Sequence, residues 1–238
     1  AMADGDGRFM LNLAEDIFAE PEERSAIEAK ELSSIVQRRA PIYDKSDESH
    51  YNLASALQKS IRGSDVDAAL YWAARMLVGG EDPRFILRRL VVVASEDVGN
   101  ADPQALPLAI AARDAYEFLG QPEGEIAIGQ LVAYLATAPK SNRAYAAFKQ
   151  AKAAAKETGS LAPPMHAVNA PTKLMKDLGY HKGYEYDHDA EGGFGGLNYF
   201  PEGMARRKFY EPTQFGFDKD IAKRIDYWDR KRREKSGS

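Results

Sequence analysis

Cysteine is absent from the 238-residue sequence. That excludes disulfides, thiolate nucleophiles and cysteine-ligated zinc or iron–sulfur centres, and it suits a reducing cytosol. Long apolar runs are missing too, since nothing approaches the roughly 20 residues needed to cross a bilayer, so no membrane partner is expected. No charged-then-apolar leader is visible, and no secretory signal is expected. Positive charge is not in excess: 32 Lys and Arg face 36 Asp and Glu, a formal net charge of −4. Any nucleic-acid role must therefore come from a local patch.

Motifs of catalysis are also wanting. A phosphate-binding P-loop needs a lysine and a hydroxyl residue directly after its glycines. The run Gly192-Gly193-Phe194-Gly195-Gly196 is followed instead by Leu197-Asn198-Tyr199, which reads as flexible backbone. His181, Asp187, His188 and Asp189 could in principle bind a divalent ion. Their spacing is not that of a helical metal motif, and a surface His–carboxylate pair is the plainer reading. Nothing resembles a nucleophile elbow. No catalytic residue and no metal ligand is assigned.

What the sequence has in abundance is helix punctuation. Phe9, Leu13 and Ile17 recur at helical spacing behind Asp6, a plausible cap. A chain opening so directly on a helix reads as an expressed fragment. Ser49 can cap a helix with the stripe Leu53, Leu57, Ile61, ended by Gly63. Ser64 with Asp67 makes a capping-box-like start for a helix through Ala68, Tyr71, Trp72, Met76 and Leu77. Asp82-Pro83 and Asp102-Pro103 place a cap before a proline at the first helical position. They open helices through Phe85 to Val98 and on to Leu119. Pro122 opens another through Ile126, Leu131 and Leu135, and Ser141 an alanine-rich one ending near Gly159. The run 90–94 could pass for a strand but lies inside a capped helical span, and is read as buried helix. Helices of this length on short loops must be antiparallel neighbours. The fold class is all-α: an antiparallel helical bundle.

After Gly159 the texture changes to prolines, glycines and tyrosines, with a short helix at 172–178 and a charged helix from Asp218 to about Arg233. This reads as an irregular arm laid over the bundle. Arg206, Arg207 and Lys208 stand between Tyr199, Phe200, Phe209 and Tyr210, a composition suited to single-stranded nucleic acid. A second basic cluster occupies 229–235. Lys140, Arg143, Lys149, Lys152 and Lys156 decorate the alanine-rich helix. For all three sets a solvated helix face or helix end, where cations complement the dipole, is the alternative.

Several strings go beyond composition: K-S-x-R-G-S-D (59–65), A-A-L-Y-W (68–72), G-E-D-P (80–83), S-E-D-V-G (95–99), A-P-K-S-N (138–142), G-Y-x-x-G-Y (179–184) and Y-E-P-T (210–213). In this order they resemble the C-terminal region of the replication-associated recombination ATPases, the RarA/MgsA family, related to the Werner-helicase-interacting protein. Leu197-Asn198 stands where relatives tend to carry glutamine before Y-L-P, and Gln58 where several have histidine. The resemblance implies a partial AAA+ lid over 1–45 and a clamp-loader-like oligomerisation collar over 46–160. An arm and terminal helix packed on the bundle would follow over 161–238. It implies that the parent is a DNA-stimulated AAA+ ATPase using ATP and Mg²⁺ in replication-fork maintenance and recombination. Arg8, in G-D-G-R (5–8), would be its sensor-2 arginine. The fragment itself would be non-catalytic and bind no cofactor. Expected partners are itself, as a homotetramer, single-stranded or forked DNA, and single-stranded-DNA-binding protein. The expected location is the cytoplasm, at the nucleoid. Trp72, Met76 and Phe85 are candidates for the subunit interface, and Arg206, Arg207 and Lys208 for DNA. The 179–203 stretch is read as packing across the bundle or across a subunit interface.

Overall fold

The structure is a computed structural model that describes residues 47–236, with side chains from Tyr51 onward. Arg8 and the expected lid lie outside these described residues, whereas Ser49, expected as a cap, falls inside the first helix, which already begins at Asp47.

Five helices build the bundle: α1 (Asp47–Arg62), α2 (Val66–Val78), α3 (Pro83–Val93), α4 (Ala105–Leu119) and α5 (Gly124–Thr137). α1 packs on α2, α2 on α5 and α4 on α5, with α3 touching α1, α4 and α5. No strand occurs among the described residues. The core is aliphatic: Leu57, Ile61, Met76, Leu87, Leu90, Ile128, Leu131 and Leu135 are fully enclosed. Each such burial contributes roughly 1.5–3 kcal/mol against the entropy of ordering the chain.

Alanines complete the contact faces, and they displace some expected stripes. In α2 the buried line is Ala69, Ala73 and Met76, while Tyr71 faces outward. In α4 it is Ala105, Ala109, Ala112 and Tyr116. In α5 it is Ile128, Leu131, Val132, Leu135 and Ala136, leaving Ile126 outside. The caps move similarly. Asp82 caps α3 through the amide of Arg84, with Pro83 at the first position, as its sequence implies. The cap of α2 is Asp65 rather than Ser64, which takes φ 58° in the turn. α4 and α5 each begin two residues after Pro103 and Pro122.

The 90–94 run is helical. Leu90, Val93 and Ala94 are buried, whereas Val92 reaches solvent. Over Ala94–Val98 the helix widens into a π-turn, a feature frequent at functional sites. The extra backbone length turns Asp97 inward. Gly99–Ala101 then forms a 3₁₀ turn.

α6 (Arg143–Thr158) leaves the end of the bundle where this π-turn lies, with only Ala147 and Ala154 buried along it. The arm follows, containing the short α7 (Lys173–Asp177), capped by Thr172, and ending in α8 (Asp218–Ser236). α8 was expected to pack on the bundle. It meets the bundle at its N-terminal end, where the Phe217 amide donates to the Ala101 carbonyl at 2.8 Å. Further along, its face carries the arm: Phe194 lies 4.8 Å from Trp228, and the Arg232 guanidinium stands 5.4 Å from the Phe194 ring. Part of the 179–203 stretch therefore packs on the terminal helix.

Candidate functional site

Three motifs distant in sequence meet at the π-turn end of the bundle. Arg62, at the end of α1, donates to Asp97 through Nε at 2.6 Å. The nearby carboxylate pushes the guanidinium further above its ordinary pKa. The Asp97 carbonyl accepts from the Ser141 amide at 2.8 Å. Lys140 Nζ donates to the carbonyls of Ala136 and Ala138 at 2.9 and 2.6 Å and to Ser64 Oγ at 3.3 Å. Desolvation pulls Lys140 below its ordinary value, with Asp97 acting in opposition. This corner joins the α1–α2 turn, the π-turn and the α5–α6 loop.

A buried carboxylate then fastens the arm to the same corner. Asp218 has no exposed surface. It accepts from the Ser141 hydroxyl, from Tyr210 Oη at 2.9 Å, and from the Thr213 amide and hydroxyl at 3.1 and 3.0 Å. Asn100 adds a hydrogen bond to Tyr210 Oη at 2.9 Å. The Y-E-P-T motif is thus a docking element. Nucleophile, base and oxyanion donors do not converge here, because these polar groups are committed to one another. The corner positions segments of the chain relative to one another.

The expected DNA-binding residues lie elsewhere, on an open cleft of about 740 Å³ between the 206–210 segment and α8. Arg206 stands 5.6 Å from the Phe200 ring, and Arg207 pairs with Glu157 at 2.9 Å. Across the cleft Arg232 pairs with Asp229 at 2.8 Å, while its Nε is buried without a partner. Asp226 and Asp229 also line the cleft, so it is not uniformly positive. The 229–235 cluster is partly neutralised along α8, where Lys231 meets Glu234 at 3.0 Å. Asp187 organises the arm by accepting from the Gly195 amide at 2.7 Å and Tyr199 Oη at 3.1 Å. These bonds hold its carboxyl below the usual range. Among the described residues no group of three or more His, Asp or Glu is arranged to hold a metal ion. None of the described helices is long and apolar enough to cross a membrane.

The three interface candidates separate. Met76 is fully enclosed in the core of the single chain, so it offers a partner nothing. Trp72 and Phe85 are half-buried against that core, with Arg75 and Arg88 placed over their rings at 5.5 and 5.9 Å. The most exposed apolar side chains are others. Phe118 is 88% exposed and Ile126 73%, with Leu119 and Val78 also open. The Arg84–Glu117 pair, at 2.6 Å, joins the start of α3 to the end of α4, and the ends of α2 and α4 and the start of α5, which carry these residues, lie away from the π-turn that follows α3. Their signal was available in the alanine stripes. Phe118 follows the buried Tyr116 by two positions and Ile126 precedes the buried Ile128 by two, a spacing that puts each on the far face of its helix.

The chain's relationships agree with this architecture. Residues 63–229 match the family model described as MgsA AAA+ ATPase C terminal, and residues 1–62 match the AAA C-terminal domain. The chain is 46% identical to the Replication-associated recombination protein A of Coxiella burnetii over 230 residues, covering 95% of the chain and 52% of that protein. It is 44% identical to the protein of that name from Escherichia coli K12, over 94% of the chain and 51% of the relative. It is also 40% identical to the ATPase WRNIP1 of Dictyostelium discoideum, over 88% of the chain and 26% of the relative. The fold is thus the C-terminal helical region of an AAA+ ATPase. The chain belongs to the RarA/MgsA family, and it spans about half the length of the bacterial relatives just described.

Proposed function

We propose that this region holds AAA+ ATPase subunits together as a homotetramer in replication-fork maintenance and recombination, and is itself non-catalytic. The observation that carries the reading is the apolar end formed by Val78, Phe118, Leu119 and Ile126. Exposed apolar side chains grouped at one end of a bundle suit an interaction site. Trp72 and Phe85 would border the contact. ATP and Mg²⁺ would belong to the ATPase core of the whole protein, with Arg8 as the sensor-2 residue. Single-stranded-DNA-binding protein would be a partner of that assembly, at the nucleoid in the cytoplasm. Light scattering on the 238-residue chain across protein concentration tests the reading. A mass of four chains supports it, and a monomer at every concentration ends it.

A second reading is a grip on single-stranded or forked DNA by Arg206, Arg207 and Lys208. It draws on the cleft, where Arg206 and Arg232 flank the aromatic rings of the arm. Arg206→Ala and Arg207→Ala would then weaken binding of all sequences alike and reduce its salt dependence. Unchanged affinity in both variants would remove it.

A further inference from the structure

α6 exposes a face that neither the bundle nor the arm uses. Its buried side is small, Ala147 and Ala154. On the other side Tyr145 is 49% exposed and Phe148 68%, with Lys149, Lys152 and Lys156 also exposed. At about 100° per residue these five positions fall within a stripe roughly 100° wide. No acidic residue interrupts it. Glu157, the one acid of α6, lies off the stripe and is held by Arg207 at 2.9 Å. Among the described residues none of the three lysines has a salt-bridge partner. Lys152 Nζ stands 5.6 Å from the Phe148 ring, so cation and ring are offered together. A protein carrying a net charge of −4 thus concentrates positive charge on one helix face and leaves two aromatic rings open beside it.

We propose that this face of α6 binds single-stranded nucleic acid, with Tyr145 and Phe148 stacking on bases and Lys149, Lys152 and Lys156 meeting phosphates. The chemistry chooses this partner over others. An amphipathic protein helix docks through aliphatic anchors into a groove. The stripe is convex and has no aliphatic side chain longer than alanine. A duplex hides the faces of its bases and would leave both rings unused, whereas unstacked bases offer them π-surfaces. The lysines follow one another at three and four residues, about 10 Å of rise in all, enough for a few nucleotides of backbone. This surface is separate from the Arg206–Lys208 cleft and does not depend on the assembly reading.

The test is fluorescence anisotropy of labelled oligo-dT on the 238-residue chain across salt, with melting temperature and solution mass checked for every variant. Replacing Lys149, Lys152 and Lys156 by Gln is expected to flatten the log affinity–log salt slope by about 2 for each chain engaged. Tyr145→Ala and Phe148→Ala are each expected to weaken binding about tenfold with the slope unchanged. Arg206→Ala with Arg207→Ala reads the cleft separately and is expected to leave both signatures in place. The proposal is overturned if the chain does not bind oligo-dT, or if the glutamine variant keeps its slope. It is equally overturned if the ring variants bind normally, or if duplex or polyglutamate competes as well as the single strand.

Discussion

Ser141, in the loop that ends the bundle, donates its hydroxyl hydrogen to Asp218, 77 positions later at the start of the terminal helix. The same serine donates its backbone amide hydrogen to the carbonyl of Asp97. One residue thus ties the π-turn to the arm. The exposed surfaces on α6 and α8 have fixed directions because both helices leave this corner.

Asp218→Ala is expected to strand the hydroxyls of Ser141, Tyr210 and Thr213 in a buried site and cost about 3 kcal/mol. Urea unfolding measures the loss, and limited proteolysis of the arm should rise with it. The pH dependence has a definite sign. Burial acts to raise the Asp218 pKa, but the hydrogen bonds from Ser141, Thr213 and Tyr210 together outweigh it and the net shift is downward. Its contribution is therefore complete above the unfolded carboxyl value, about 3.9, and lost as pH falls through the lower folded value. Asp218→Asn should melt lower at neutral pH and lose less on acidification than the parent chain. Equal acid sensitivity of the two would contradict this.

Two glycines should respond oppositely to alanine. Gly216 holds φ +50°, and a Cβ there would meet the Ala101 carbonyl oxygen at 2.1 Å and Pro139 at 2.7 Å. Gly216→Ala is expected to cost more than about 2 kcal/mol, because the arm can no longer close on the bundle. Gly129 sits inside α5 with nothing within 4 Å of a new Cβ. Gly129→Ala should raise stability by about 0.5–1 kcal/mol through helix propensity. Thermal unfolding of the two variants tests both signs.

Tyr134 should titrate late. Its hydroxyl donates to Asp102 at 2.5 Å, and that bond, with burial and the carboxylate's charge, pushes the phenol up to about 12 from 10.0. The stability this adds is whole below pH 10 and is lost as pH rises through about 12. Tyr134→Phe should lower stability by about 1–2 kcal/mol at neutral pH. It should also remove the latest phenolate step in an ultraviolet titration; a titration identical to the parent's would refute the assignment.

The helices were legible in the sequence because their stops are chemical: Asp82-Pro83 and Gly159 allow few alternatives. Their inward faces were less so. Ala69, Ala73, Ala105 and Ala109 define contact faces by being small, and a search for large apolar residues follows Tyr71 and Ile126 outward instead. Met76 fits either an interface or a core by type, and its neighbours across the bundle decided for the core. The corner of Arg62, Asp97 and Ser141 was visible only as separate strings. Their meeting depends on long-range closure that no local pattern encodes.

Substitutions at Met76, Phe118 and Ile126 separate core from contact surface. Met76→Ala removes a fully enclosed side chain and should cost about 2–5 kcal/mol, whatever the state of assembly. Phe118→Ser alters a ring that is 88% exposed, so the fold of the single chain should be unaffected within about 0.5 kcal/mol. If the apolar end is the subunit contact, Phe118→Ser with Ile126→Ser should lower the solution mass at micromolar concentration and leave the circular dichroism spectrum unchanged. Melting temperature would then fall with dilution for the parent chain but not for the double variant, since assembly stabilises by mass action. A double variant with the parent's mass would move the contact to another face.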